Sequence, residues 1–222
     1  GFDPTYVFMD VNEGFKISSF VDSFREPEYE NGEDTKAVCR VLRELHSIDV
    51  KVDYGLSPWE DAERIEKILT EKDPECFADF SELKKKVGIL YEKTKDDGIE
   101  KCFCHGDTYS HNWMIKPDGD VILIDWEYSG FSDPGIDVGY YIVDAMYDFD
   151  KAKEMIHEYL LDDYDEKKEF HFLAYSALIA YYWFVWALYR ESCGASMGES
   201  LYNWYRMSEK YADYLLDGEN NG

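Results

Sequence analysis

The chain has 222 residues, 45% of them apolar and 17% aromatic, enough to bury a real core as one large domain or a domain with a small appendage. Its 23 Lys and Arg face 48 Asp and Glu, and the resulting net charge of -25 argues against nucleic acid or an anionic membrane as partner and favours cationic ones. Five cysteines, Cys39, Cys76, Cys102, Cys104 and Cys193, are odd in number and scattered, with no signal peptide before them, so free thiols in a cytoplasmic protein are expected.

The opening reads as a β-hairpin, with Tyr6-Val7-Phe8-Met9, a turn at Asn12-Glu13-Gly14, and Phe15-Lys16-Ile17-Ser18-Ser19-Phe20. Two strands are marginal alone, so a chain that opens on a hairpin is expected to be a fragment of a larger sheet-bearing protein. After a polar stretch over 22–33, Ala37, Val38, Val41, Leu42 and Leu45 recur at helical spacing and predict a helix ending near His46-Ser47. Ser57-Pro58-Trp59-Glu60 has the form of a capping box with proline at the first helical position, which predicts a second helix to about Thr70. A third is predicted from Phe77 to Thr94, with Lys84-Lys85-Lys86 on a solvated face.

The period then shortens to two. Lys101-Cys102-Phe103-Cys104, Trp113-Met114-Ile115 and Val121-Ile122-Leu123-Ile124 read as strands, the last two joined in a hairpin across Lys116-Pro117-Asp118-Gly119-Asp120. Helices are predicted again over 134–146, 150–161, 166–190 and 198–216, leaving 217–222 as an unordered tail. The apolar run from Phe172 to Leu188 is interrupted by Ser176 and rich in tyrosine, so it reads as a buried helix with no membrane span.

Chemistry concentrates at the second hairpin. His105-Gly106-Asp107-Thr108-Tyr109-Ser110-His111-Asn112 places an acid and an amide five residues apart in a loop leading into a strand, and Asp125 closes the return strand. Phosphoryl transfer requires such a set: one carboxylate to orient or deprotonate the attacking hydroxyl, and an amide with a second carboxylate to hold Mg²⁺ against phosphates. Taken singly, these are ordinary turn and strand-end residues; the strand–turn–strand context, predicted independently from periodicity, favours the chemical reading. Cys102, Cys104, His105 and His111 invite a zinc site, but a C-x-C pair lacks the usual C-x-x-C turn, and no metal is assigned to them.

His105-x-Asp107-x-x-x-x-Asn112 followed by Ile124-Asp125 resembles the catalytic loop and metal-binding strand shared by aminoglycoside phosphotransferases, choline and ethanolamine kinases, and protein kinases. The resemblance implies an α+β, protein-kinase-like fold: a mostly helical C-terminal catalytic and substrate-binding lobe over 22–222 with a catalytic β-hairpin, preceded over 1–21 by a remnant hairpin of the N-terminal lobe and a hinge. It further implies Asp107 as catalytic base, Asn112 and Asp125 as Mg²⁺ ligands, His105 as a structural brace, ATP as phosphoryl donor, and Ser19, Phe20 and Val21 as the nucleotide-binding hinge. No glycine-rich phosphate loop and no strand lysine precedes the opening hairpin. The implied partner is therefore a missing N-terminal lobe of the parent chain, without which this fragment is expected to turn over little or not at all.

The stretch from Ile124 to Gly139, with Trp126-Glu127-Tyr128-Ser129-Gly130 near its start, resembles the choline kinase pattern, especially its bacterial members. There Asp137 matches an aspartate that braces the catalytic loop. Choline carries a quaternary ammonium with no N–H to donate, so a selective site needs aromatic faces and a nearby carboxylate. Trp183 and Trp186 stand three apart on a predicted helix, hence on one face. Spacing alone would make that stripe core; the resemblance makes it the choline pocket, with Tyr128 as a further aromatic and Asp144, one methylene shorter than the usual glutamate, facing the cation. Phe149 and Tyr202 are weaker pocket candidates. The expected reaction is ATP- and Mg-dependent phosphorylation of choline or ethanolamine. The alternatives are an aminoglycoside-type phosphotransferase, toward which His105-Gly106-Asp107 and His111 lean, and a non-catalytic choline-binding or pseudokinase module.

Overall fold

A computed structural model describes residues 1–70 and 79–220. Cys76 and the expected start of the third helix at Phe77 lie outside the described residues. Strands β1 (Tyr6–Asp10) and β2 (Phe15–Ser18) form the opening antiparallel hairpin, closed by Gly14 N donating to Asp10 O at 2.9 Å. Most of its apolar side chains, including Phe8, Met9, Phe15 and Ile17, are exposed.

Helix α1 (Gly32–His46) starts where the Asn31 side chain accepts from Glu33 N, and its buried stripe holds Val38, Val41, Leu42 and Leu45. Helix α2 (Pro58–Thr70) starts at the predicted proline, but the carboxylate that reaches back to Ser57 N is Asp61, at 2.9 Å. Glu60 instead accepts from Tyr91 in α3 (Phe80–Thr94) at 3.2 Å. The lysine run of α3 is not simply solvated. Lys84 pairs with Glu66 of α2 at 2.5 Å and Lys86 with Asp213 at 2.8 Å, because each long side chain reaches an acid on a neighbouring helix.

Strand β3 (Cys102–Cys104) leads into the catalytic-type loop, and β4 (Trp113–Ile115) with β5 (Val121–Leu123) forms the predicted hairpin, Trp113 opposite Leu123. A strand absent from the sequence reading, β6 (Gly130–Ser132), returns antiparallel to β3 with Phe103 opposite Phe131. The segment after β2 is tied to this region by paired backbone bonds between Arg25 and Ile115, at 3.0 and 2.8 Å.

The remaining helices are α4 (Gly135–Asp144), α5 (Phe149–Leu160), α6 (Glu166–Ser192) and α7 (Glu199–Asn220). Helix α7 takes up 217–220, where the sequence reading leaves an unordered tail; residues 221 and 222 lie outside the described residues. Helix α6 is the axle of the domain and packs against α2, α3, α4, α5 and α7. It is long and apolar enough to cross a membrane by length and composition, yet 78% of its most apolar window is buried inside the fold. Being apolar all round is what such encirclement demands. One polar clamp interrupts this core: His171 of α6 bridges Asp97 at 2.5 Å and Asp133 at 2.8 Å, and Asp133 also accepts from Gly135 N at the start of α4.

Candidate active site

The loop between β3 and β4 is shaped from behind by one fully buried carboxylate. Asp137, in the first turn of α4, accepts from His105 N at 2.8 Å and Gly106 N at 2.7 Å, while its own carbonyl accepts from Thr108 Oγ1 at 2.7 Å. Burial alone would raise its pKa, but His46, His105 and these amides hold it below the usual carboxylate range. Gly106 is required twice over. Its φ is +83°, and an added Cβ would lie 2.4 Å from the Tyr128 carbonyl oxygen. His105 is buried, its Nδ1 accepting from Asp107 N at 3.2 Å and its Nε2 thereby left to donate to Ile124 O at 2.9 Å.

These bonds aim Asp107 outward. Asn112 Nδ2 donates to Asp107 Oδ2 and to its carbonyl, both at 2.9 Å, which fixes the amide and leaves Asn112 Oδ1 as the free donor atom. Because Trp113 pairs with Leu123 and Ile124 N bonds Asn112 O at 2.9 Å, the register sets Asn112 and Asp125 at the same end of the hairpin. Asp125 adopts a left-handed backbone, φ 67°, a strained conformation that aspartate tolerates better than most residues and that clusters at functional sites. Burial raises the Asp107 carboxyl above its ordinary range, opposed by hydrogen bonds from Tyr140 and Asn112.

Asp107, Tyr128, Asp144, Trp183 and Trp186 all line one cavity of about 410 Å³. The two tryptophans meet nearly at right angles, 79°, with ring centroids 5.2 Å apart, and are the partly open positions in an otherwise buried stretch of α6. Asp144 accepts from Tyr29 Oη and from Ser110 N at 2.9 Å, both on Oδ2, and burial pushes its carboxyl above the usual range against those bonds. Ser19, Phe20 and Val21 lie apart from this group, in a second cavity of about 520 Å³ that also holds Asp125, Met114 and Lys16.

Residues 21–171 match the phosphotransferase enzyme family. The chain belongs to that family. It is 22% identical over 202 residues to protein LicA of Haemophilus influenzae, covering 86% of this chain and 59% of that protein. The choline kinase LicA of Streptococcus pneumoniae superposes with a TM-score of 0.81 at 21% identity, over 96% of this chain and 75% of that one. A choline/ethanolamine kinase family protein of Mesorhizobium loti gives 0.82 at 16% identity, over 96% and 74%. At such identities the likeness establishes the fold, which is protein-kinase-like, mostly helical and preceded by a small hairpin. The chain spans less than two thirds of the curated relative's length.

Several residues lining the 410 Å³ cavity were not singled out in the sequence. Trp204 of α7 stands 5.9 Å from the Trp183 ring, and Tyr140 meets Trp183 edge-on at 5.3 Å. Trp204 comes from a helix whose approach to α6 no local pattern announces, while Tyr140, three residues after Asp137, is one helical turn along the same face and could have been found by that spacing. Phe149 and Tyr202 do not line the cavity. Phe149 stacks on Tyr214 at 3.9 Å, and Tyr202 is exposed on α7. His105 and His111 do not converge with the cysteines either: His105 is spent on the loop backbone, and His111 pairs with Glu26 at 2.7 Å.

Proposed function

We propose that this chain is the catalytic and substrate-binding lobe of a kinase that transfers the γ-phosphoryl group of ATP to the hydroxyl of choline or a closely related amino alcohol. One observation carries the reading: Asp107 stands in the same cavity as Trp183, Trp186 and Asp144. Choline's hydroxyl lies only two carbons from its nitrogen, so a base for one end and a cage for the other must share one small cavity. Aromatic rings outnumber carboxylates along its wall, which suits a quaternary cation better than a polyhydroxylated aminoglycoside.

In this proposal Asp107 accepts the hydroxyl proton as the substrate oxygen bonds to phosphorus and the β,γ-bridging P–O bond breaks. Its raised pKa makes it a better acceptor at neutral pH than an exposed aspartate, and Asn112 Nδ2 holds its orientation. Asn112 Oδ1 and the Asp125 carboxylate are hard oxygen donors of the kind magnesium takes, and the ion would supply charge neutralisation at the phosphates. Ser19, Phe20 and Val21, beside Asp125, are proposed to receive the nucleotide, with the rest of its grip coming from the remainder of the N-terminal lobe. The likeness to solved choline kinases supports this assignment.

The test is calorimetric titration of the chain with choline, ethanolamine and kanamycin, repeated with Trp183→Ala and Trp186→Ala. Choline should bind, and each substitution should weaken it roughly 2- to 30-fold, corresponding to about 0.5–2 kcal/mol per desolvated cation–π contact. Kanamycin binding in place of choline would move the assignment to an aminoglycoside phosphotransferase. Choline binding without Mg-ATP-dependent transfer, in a chain joined to an ATP-binding lobe, would make it a binding module.

A further inference from the structure

Behind the catalytic-type loop, on the side away from the substrate cavity, three soft donors converge that the proposed reaction does not use. Cys102 and Cys104 project from the same face of β3, their Sγ atoms 3.6 Å apart, and His46 at the end of α1 joins them so that all three donor atoms lie within 4.8 Å of one another. We infer that His46, Cys102 and Cys104 form a binding site for a thiophilic ion of the zinc type, whose occupancy braces the catalytic loop.

The geometry discriminates among the uses a cysteine pair could have. Two thiolates on a tetrahedral zinc, each at about 2.3 Å, sit about 3.8 Å apart, which is the separation already present to within a few tenths of an ångström. A disulfide would have to span residues i and i+2 of an extended strand, whose Cα atoms stand about 6.7 Å apart, at the outer edge of what a disulfide bridges. Cys104 is wholly buried and among the described residues hydrogen-bonds to the carbonyl oxygens of Cys102, Ser132 and Asp133 at 3.4–3.7 Å, besides contacting the other sulfur. Those are weak contacts, which a metal bond would replace at little loss.

His46 is prepared in the way metal-bound histidines are. Its Nε2 lies 2.9 Å from Asp137 Oδ2, an acceptor, so the neutral ring carries its proton there and directs the Nδ1 lone pair elsewhere. That lone pair meets the Tyr159 hydroxyl at 2.7 Å, and Tyr159 is itself set among Cys102, Cys104 and Asp137. An ion would displace this hydroxyl from Nδ1 and bind two sulfurs and one nitrogen, with water at the fourth corner entering past the partly exposed Cys102. Through His46 the ion is linked to Asp137, and through Asp137 to the amides of His105 and Gly106. The sequence reading set Cys102 and Cys104 beside His105 and His111 and missed His46, which lies 56 residues upstream of Cys102 and reaches the pair through the packing of α1 on β3.

The test is titration of the chelator-treated chain with Co²⁺ as a spectroscopic stand-in, then displacement by Zn²⁺. One equivalent should produce a thiolate-to-cobalt charge-transfer band with the intense visible bands of tetrahedral cobalt, bleached by one equivalent of zinc. Cys102→Ser, a partly exposed and nearly isosteric change, should abolish the band and weaken zinc by more than the about 10- to 100-fold that loss of an outer partner costs. Cys193→Ser should leave both unchanged. Zinc should also raise the melting temperature of the parent chain and not that of Cys102→Ser. Absence of the band at saturating cobalt, or its persistence in both Cys102→Ser and Cys104→Ser, would overturn the assignment.

Discussion

Asp107 and Asp144 are two half-buried carboxylates lining one cavity, and different neighbours hold them. Asp107 is bonded by Asn112 and Tyr140 and faces the hairpin end that holds Asp125. Asp107→Asn keeps the size and loses the proton acceptor, so transfer should fall about 10²–10⁴-fold while choline affinity changes little, a split read by steady-state kinetics alongside calorimetry in the lobe-complete enzyme. Asp144 instead accepts on one oxygen from Tyr29 and Ser110. Its carboxyl is raised by burial, so choline binding should weaken as pH falls through a range above that of an exposed aspartate. Tyr29→Phe removes a bond that favours the carboxylate; it should shift that acid limb to still higher pH and cost about 0.5–1.5 kcal/mol of binding at neutral pH. A pH series of titrations on both chains measures this, and an unmoved limb would mean that Asp144 does not face the cation. Asp107, Asn112 and Asp125 could be singled out in the sequence by their motif, and Trp183 by the family resemblance, since its helical spacing alone reads as core. Tyr29 could not, since 115 residues separate it from Asp144 and only the fold brings them together.

Helix α6 is fixed to the loops beneath it by the Asp97–His171–Asp133 clamp, whose contribution to stability depends on pH. Burial disfavours the imidazolium, but the hydrogen bonds it donates to Asp133 and Asp97 outweigh it and push His171 up to about 9. The folded value lies above the ordinary one of about 6.5, so this stabilisation is complete below that pH and is lost as pH rises through about 9. Asp97 is held low by His171 in spite of burial, so its share is present above its ordinary value and is lost as pH falls through the lower folded one. Thermal melts should therefore show a plateau at mildly acidic to neutral pH and a decline on the alkaline side. His171→Gln should remove the alkaline decline and lower stability by about 3 kcal/mol, because breaking a buried pair strands its partners. Elements of this kind are only partly legible in advance. The β4–β5 hairpin and the starts of α2 and α6 follow from local turn and cap chemistry, whereas β6 exists only because three residues find β3 some 28 positions earlier in the chain. The reach-back of Asp61 rather than Glu60 turns on Tyr91, which belongs to another helix.

At the scale of the whole molecule, a charge of -25 is a standing repulsion that paired lysines relieve only locally. Raising salt shortens the reach of these charges from about 30 Å at 0.01 M to about 8 Å at 0.15 M, so the melting temperature should rise with salt while association of a cationic substrate slows. A melting temperature that fell with salt would mean that ion pairs outweigh the repulsion. The same molecule also carries its own optical gauge. Three of its six tryptophans, Trp183, Trp186 and Trp204, stand around the cavity, with Trp183 Nε1 buried and lacking a hydrogen-bond partner among the described residues. Half of the indoles therefore stand where a cation would come to rest, so the emission of the unlabelled chain should change in colour and intensity when the cavity fills, and an ordinary fluorimeter could watch its occupant arrive and leave in real time.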